Sequence, residues 1–407
     1  MARSFHRLVL LLVATALLAS CGAPGTGTPS AGSASPSASG STSGSAAASA
    51  SGSAAAGGNL SGEIPVGFAF ALTGDAAIYG TSQKNAVDLA VEEINSSGFL
   101  GGATMRAVIE DDTGRPETAT TVFEKLINED EVVAIIGPTL SNAALSSDPI
   151  AQENGVPVVA VSNTAAGITE IGDFVFRASL PERAVIPNTV RVAKQKLGFA
   201  KVAIMYANDD AFSKSGYDVF KAALQENGVE ILTEETFAGR DTDFSAQLTK
   251  IKGLNPDALI VSALVTPASG ILTQARQLGI EVPVIGGNGF NSPDLTRLAG
   301  DAANGVISGA AYFVANENAK NTAFVQAYNS KYGKNPDQFA AQAYAGTYLL
   351  AEAIRNAGST DRAAIRNALD QLQNVDTVLG TFSFRNREPE HPPIVQQLEN
   401  GAFKLFE

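Results

Sequence analysis

The sequence predicts an α/β protein built as two doubly wound lobes, each a parallel sheet with helices on both faces. Three observations point there. The 347 residues from Ser61 to Glu407 have ordinary globular composition and exceed the roughly 250–300 residues at which one hydrophobic core stops growing. Short runs that are apolar on both sides alternate with segments of helical periodicity, as parallel sheets buried on both faces require. The alternation occurs twice, once before about residue 181 and again from about 200 to 310.

The chain opens on an export signal. Arg3 and Arg7 form a short positive region, and Leu8 to Leu18 is almost purely apolar. Eleven residues are too few to span a bilayer as a helix, which takes about 20. Leu18-Ala19-Ser20-Cys21 follows, with small residues before the only cysteine of the chain. It resembles the lipobox of bacterial lipoproteins, which implies cleavage before Cys21 and acylation of its thiol. Cys21 is then a membrane tether: each buried methylene contributes about 0.8 kcal/mol, and two chains hold where one does not. No thiol is left for a disulfide or for thiol catalysis.

Residues 22–59 are Ser, Gly, Ala, Thr and Pro with one Asn and no charge. Such a tract cannot bury enough apolar surface to offset its ordering entropy. A flexible stalk is expected, with a root-mean-square span of roughly 30–40 Å.

The body follows in order. "IPVGFAFAL" (64–72) reads as a buried strand, and Val87, Ala90, Val91 and Ile94 mark one face of the helix after it. "VVAIIG" (132–137), a helix over 141–153 and "VPVVAVS" (156–162) continue the first series. "KVAIMYA" (201–207), a helix carrying Val219, Phe220, Ala223 and Leu224, "DALIVSAL" (257–264), a helix over 267–279 and "VPVIGG" (282–287) form the second. Ligands of such sheets bind outside the carboxyl ends of the strands.

Composition narrows the function. The net charge is −13, and loss of Arg3 and Arg7 with the signal takes it to about −15, a poor match for nucleic acid or an anionic membrane surface. Of the two histidines, only His391 lies in the body. A Ser-His-acid triad would need it, and no Gly-x-Ser-x-Gly elbow accompanies it. No His- or Cys-ligated metal site is expected, and no phosphate-binding glycine motif appears. "EDD" (110–112) reads as solvated acids rather than cation ligands. No cofactor is expected.

The strand ends carry the remaining signal. "LTGDAAIYG" (72–80), "GPTLSNAA" (137–144) and "SNTAAG" (162–167) place Gly and small polar residues where strands become helices. Backbone N–H groups at helix starts form an anion site, to which Ser141 and Thr164 could add hydroxyls. Thr73, Asp75, Ser141 and Thr164 can equally be plain N-caps.

The ordered set "GxxxxLTGDAAxYG", "IIGPxxS", "GVPVVxxSxTAxxIT" with "VFRAS", and "Y…DDAFSKSG" resembles the leucine/isoleucine/valine-binding proteins of ABC importers, which have the type I periplasmic binding fold. The resemblance covers nearly all of residues 62–407. It implies two lobes joined by three crossovers, placed near residues 181, 311 and 378, so that 61–181 with 311–378 make one lobe and 182–310 with 379–407 the other. It also implies that Ser141 and Thr164 hold the ligand carboxylate and amino group, that Ser162 offers a backbone group, and that Tyr79 lines the pocket. Asn142 is expected beside Ser141.

Two positions depart from the pattern. Phe212 stands where the family typically has Tyr, and Asn288 in "IGGNGF" stands where amino-acid binders usually have Glu facing the ligand ammonium. An ammonium desolvated without a charged partner is costly. Asp209 or Asp210 could compensate, or Asn288 could be a plain turn residue.

The expected function is that of a monomeric, lipid-anchored, extracytoplasmic receptor. It would deliver a small amino acid, branched-chain or otherwise apolar, to an ABC permease. A carboxylate or amide without an amine, such as an aromatic acid, is the alternative ligand. A ligand-binding sensory receptor is the alternative role, and an enzyme is disfavoured because the strand-end hydroxyls have no histidine partner.

Overall fold

The computed structural model describes residues 60–406. The expected export signal, Cys21 and the expected stalk lie outside the described residues.

The first lobe is built from β1 (Ser61–Phe70), α1 (Ala77–Ser96), β2 (Gly102–Asp111), α2 (Pro116–Asn128), β3 (Ile135–Ile136), α3 (Ser141–Glu153), β4 (Val158–Ala160) and β5 (Val175–Arg177). Its five strands run parallel in the order β2-β1-β3-β4-β5. Strand β1 shows why the sheet is covered twice. Its even positions Ile64, Val66, Phe68 and Phe70 enter one core, whereas Ala69 enters the core under α2. Alternate side chains of a strand face opposite sides of the sheet, so a run apolar at every position needs a layer on each.

The second lobe follows the same rule. It comprises α4 (Glu182–Leu197), β6 (Lys201–Ala207), α5 (Ala211–Glu226), β7 (Glu230–Phe237), α6 (Ser245–Leu254), β8 (Ala258–Ser262), α7 (Val265–Gln277), β9 (Val284–Gly286), α8 (Asp294–Ala299) and β10 (Ile307–Ala310). Ala203 and Met205 of β6 face one core with Leu259 and Val261 of β8, while Val202 and Ile204 face another with Ala258 and Ile260.

After β10 the chain returns to the first lobe. α9 (Ala319–Tyr332), α10 (Gln338–Ala357) and α11 (Arg362–Asp370) place Phe324, Tyr328, Leu350 and Ile365 in the core of β1. Two short hairpins follow, β11 (Val375–Thr377) with β12 (Gly380–Phe382), and β13 (Phe384–Arg385) with β14 (Glu388–Pro389). Only then does β15 (Ile394–Glu399) join the second sheet, antiparallel to β10, with β16 (Ala402–Leu405) at the edge.

The expected crossover near 378 is therefore displaced. Leu379, Phe382 and Phe384 pack in the first-lobe core, and the Arg177 N–H donates to the Arg387 carbonyl oxygen at 2.9 Å. Residues 379–389 belong with the first lobe, and the third crossover runs through 390–393. The other two lie between β5 and α4 and between β10 and α9.

Candidate ligand-binding site

The carboxyl ends of β1, β3 and β4 face those of β6, β8 and β9, and a narrow cavity of about 20 Å³ lies between them. Tyr79, Leu140, Phe212, Leu264 and Phe339 form its apolar wall; Thr139, Ser141, Ser162 and Asn288, with Gly289, form its polar side. The cavity has room for about one water molecule, so a larger guest enters only when the lobes part.

Tyr79 stands on the first turns of α1. Helix and strand approach so closely here that a Cβ at Gly80 would lie 1.9 Å from the Ala71 carbonyl oxygen, so only glycine fits. The Tyr79 hydroxyl donates to the Gly289 carbonyl oxygen (2.9 Å) and accepts from the Val265 N–H (2.7 Å), both on the second lobe. Burial pushes its pKa up, so it stays protonated. Its ring packs on Phe339, 4.4 Å between centroids. Gly289 meets the same constraint from the other side, since a Cβ there would lie 2.4 Å from the Ala263 carbonyl oxygen.

The hydroxyls are not equivalent. The Ser162 hydroxyl donates to the Thr139 carbonyl oxygen (2.6 Å) and accepts from the Gln83 amide (2.8 Å). The Thr139 hydroxyl donates to Gln83 Oε1 (2.7 Å). Both protons are committed within the wall. Ser141 Oγ accepts from the Ala165 N–H at 3.4 Å, which leaves its proton free for an acceptor in the cavity. Ser141 also opens α3, whose N-cap Leu140 supplies no side-chain cap. A free hydroxyl beside uncapped N–H groups is suited to a carboxylate.

The other expected site residues fall differently. Thr164 is buried behind the lining, and its hydroxyl donates to Glu182 Oε1 (3.1 Å). Asn142 does not line the cavity. Its Oδ1 accepts from the Ala211 N–H (2.8 Å) and its amide reaches the Asp209 carbonyl oxygen (3.4 Å), so it bridges the lobes instead. Phe212 lines the cavity from the first turn of α5. Asn288 also lines it, but its Oδ1 accepts from the amides of Gln338 and of Asn291, the latter at 3.2 Å. Neither acid of the neighbouring loop compensates. Asp210 caps α5, accepting from the Ser213 N–H (2.8 Å), and Asp209 accepts from the Gly239 N–H (2.7 Å).

The "EDD" run is structural. Asp111 gathers the Leu72 N–H (2.9 Å), the Thr73 hydroxyl (2.6 Å) and the Thr113 N–H (2.8 Å). Although desolvation opposes it, these bonds hold the Asp111 pKa below its usual value. Asp112 is buried and pushed up to about 6 by desolvation, against bonds from the Gly114 and Thr139 N–H groups. Together the two acids staple the loops that carry Tyr79 and Ser141. Among the described residues no group of His, Cys, Asp and Glu is arranged to hold a metal ion. His391 is half-buried, its ring 6.0 Å from that of Phe382.

Gln83, Leu264, Phe339 and Glu182 were not marked by any motif. Only Glu182, as a charged residue at the start of a crossover helix, offered a signal that could have been followed.

Known proteins share the sequence pattern and the fold. The profile of the family described as "Periplasmic binding protein" matches residues 63–402. The chain is 29% identical over 328 residues to the Leu/Ile/Val-binding protein BraC3 of Rhizobium johnstonii, covering 79% of this chain and 87% of that one. The substrate-binding protein LivJ of a branched-chain amino acid transporter from Streptococcus pneumoniae, solved with isoleucine, superposes with a TM-score of 0.80 at 30% identity, over 84% of this chain and 98% of that one. A solute-binding protein of an ABC transporter from Rhodopseudomonas palustris, solved with 3,4-dihydroxybenzoic acid, superposes at 0.77 and 26% identity, over 84% and 95%.

Proposed function

The chain belongs to the periplasmic binding protein family and has its type I fold, and from that premise we propose that it is the receptor of an ABC importer, closing over an apolar α-amino acid. Anchored through Cys21 to the outer face of the cell membrane, it hands this ligand to a permease. The observation that carries the reading is the division of the cavity. The Ser141 hydroxyl and the start of α3 suit a carboxylate, and the apolar lining of Tyr79, Leu140, Phe212, Leu264 and Phe339 suits an apolar side chain. The tether keeps the receptor at high effective concentration near its permease.

A second reading follows from two specific features. Asn288 brings no charge, and three aromatic rings line the cavity. An aromatic acid fits these, and a relative was solved with one. A thermal-shift panel separates the two. Ligand at about 100 times its dissociation constant adds roughly 2.7 kcal/mol. Leucine, isoleucine or valine is expected to raise the melting temperature. A rise with benzoates alone assigns the aromatic acid instead.

A further inference from the structure

We propose that Glu182 supplies the negative charge that receives the ammonium group of the ligand, in place of an acid at position 288. The inference rests on the reading of the ligand as an α-amino acid.

Glu182 opens α4, where the chain first passes from one lobe to the other, and it is 0% exposed. Its N–H donates to the Thr164 carbonyl oxygen (3.1 Å), and its Oε1 accepts from the Thr164 hydroxyl (3.1 Å). Its Oε2 is fully buried and makes no well-formed hydrogen bond, although the Asn288 N–H lies near enough to stabilise its charge. Gly287 faces that oxygen: a Cβ at 287 would lie 3.5 Å from it. That oxygen therefore sits between Thr164 of the first lobe and Gly287 of the second, directly behind Asn288 in the cavity lining.

Arg177, whose charge reaches Glu182, is already committed. It forms an ion pair with Glu388 and donates to the Ala165 carbonyl oxygen at 2.6 Å. A carboxylate buried with one oxygen so poorly paired is costly to keep ionised. Desolvation raises its pKa to about 7, against the Thr164 hydroxyl, the Asn288 backbone amide and Arg177. A cation is what this group lacks.

Neither Glu182 nor Thr164 lines the cavity, so an ammonium reaches them only where the wall at Asn288 yields. The Thr164 hydroxyl donates its hydrogen bond to Glu182 Oε1 and retains a lone pair, so an ammonium that reaches this position meets two acceptors, Thr164 Oγ1 and Glu182 Oε2. The carboxylate donor is adjacent, because Ser141 Oγ is bonded to the N–H of Ala165, the residue after Thr164. The Asn288 side chain is held by Gln338 and Asn291 and is not needed as the counter-charge.

Calorimetric titration with L-leucine and with isocaproate, which has the same side chain without the amine, tests the assignment. Glu182→Gln is expected to weaken leucine about 10- to 100-fold, as loss of a hydrogen bond to a charged group does, and to leave isocaproate unchanged. Glu182→Asp, which keeps the charge but withdraws it, should fall between. Asn288→Glu added to Glu182→Gln should restore leucine binding. Leucine affinity equal in wild type, Glu182→Gln and Glu182→Asp overturns the proposal while leaving the amino-acid reading intact. Wild-type protein that takes benzoate and no amino acid overturns that reading, and the proposal with it.

Discussion

Ser141→Ala removes the one cavity hydroxyl whose proton is uncommitted. It is expected to weaken ligand binding by about 1.5–3 kcal/mol, as loss of a hydrogen bond to a charged group does, with little change in the melting temperature of the free protein. Titration calorimetry and a thermal melt check the two halves. Glu182 makes a prediction about stability. Its carboxyl titrates near 4.5 in the unfolded chain and near 7 when folded, raised by desolvation. Between those values the folded protein holds a proton that the unfolded chain has released, so stability is lost as pH rises through the window. The loss is about 3 kcal/mol in full. Arg177, the cation whose charge reaches it, is neutralised by Glu388. Glu182→Gln should therefore melt higher than wild type above neutral pH and converge with it in acid below the unfolded value. Ser141 was marked by the strand ends of a doubly wound sheet, and Tyr79, Ser162 and Phe212 by the family resemblance; all four line the cavity. Asn142, Thr164 and Asn288 show the limit. Their positions followed from the strand ends or the family resemblance, but which partner takes each amide or hydroxyl depends on residues 18 to 69 positions away: Glu182, Gln338 and Ala211.

At the scale of elements, the approach of α1 to β1 is the tightest constraint on the site. Gly80→Ala drives a methyl into the Ala71 carbonyl and should destabilise the protein by about 1–3 kcal/mol, while also displacing Tyr79 and weakening ligand binding. Denaturant unfolding and titration of the same variant measure both. The long elements were legible because burial on two faces leaves a continuous apolar run, as in β1, β6 and β8. The short hairpins of 375–389 were not. Strands of two or three residues have no period to read. Phe382 and Phe384 announce burial, but a sequence does not say against which sheet, and they were expected in the wrong lobe. The polar strand β7, half exposed at the sheet edge, carried no apolar run and was likewise invisible.

For the whole molecule, the central matter is closure. Tyr79 joins the lobes through Gly289 and Val265, Asn142 through Ala211 and Asp209, and Ser215 accepts from the Ala166 N–H at 3.0 Å. Ligand contacts to both lobes would add to these and shift the population toward the closed form. Tyr79→Phe leaves a buried N–H and a buried carbonyl oxygen unpaired, at about 1–3 kcal/mol. It should open the ligand-free protein, seen as a larger radius of gyration in small-angle scattering, and weaken every ligand alike. The most direct test of the account is the identity of the small molecule that the purified protein carries. Denaturing it and weighing what is released by mass spectrometry should yield an apolar α-amino acid, bound one to one. Release of an aromatic acid, or failure to take up any amino acid after unfolding, washing and refolding in a mixture of them, would contradict it.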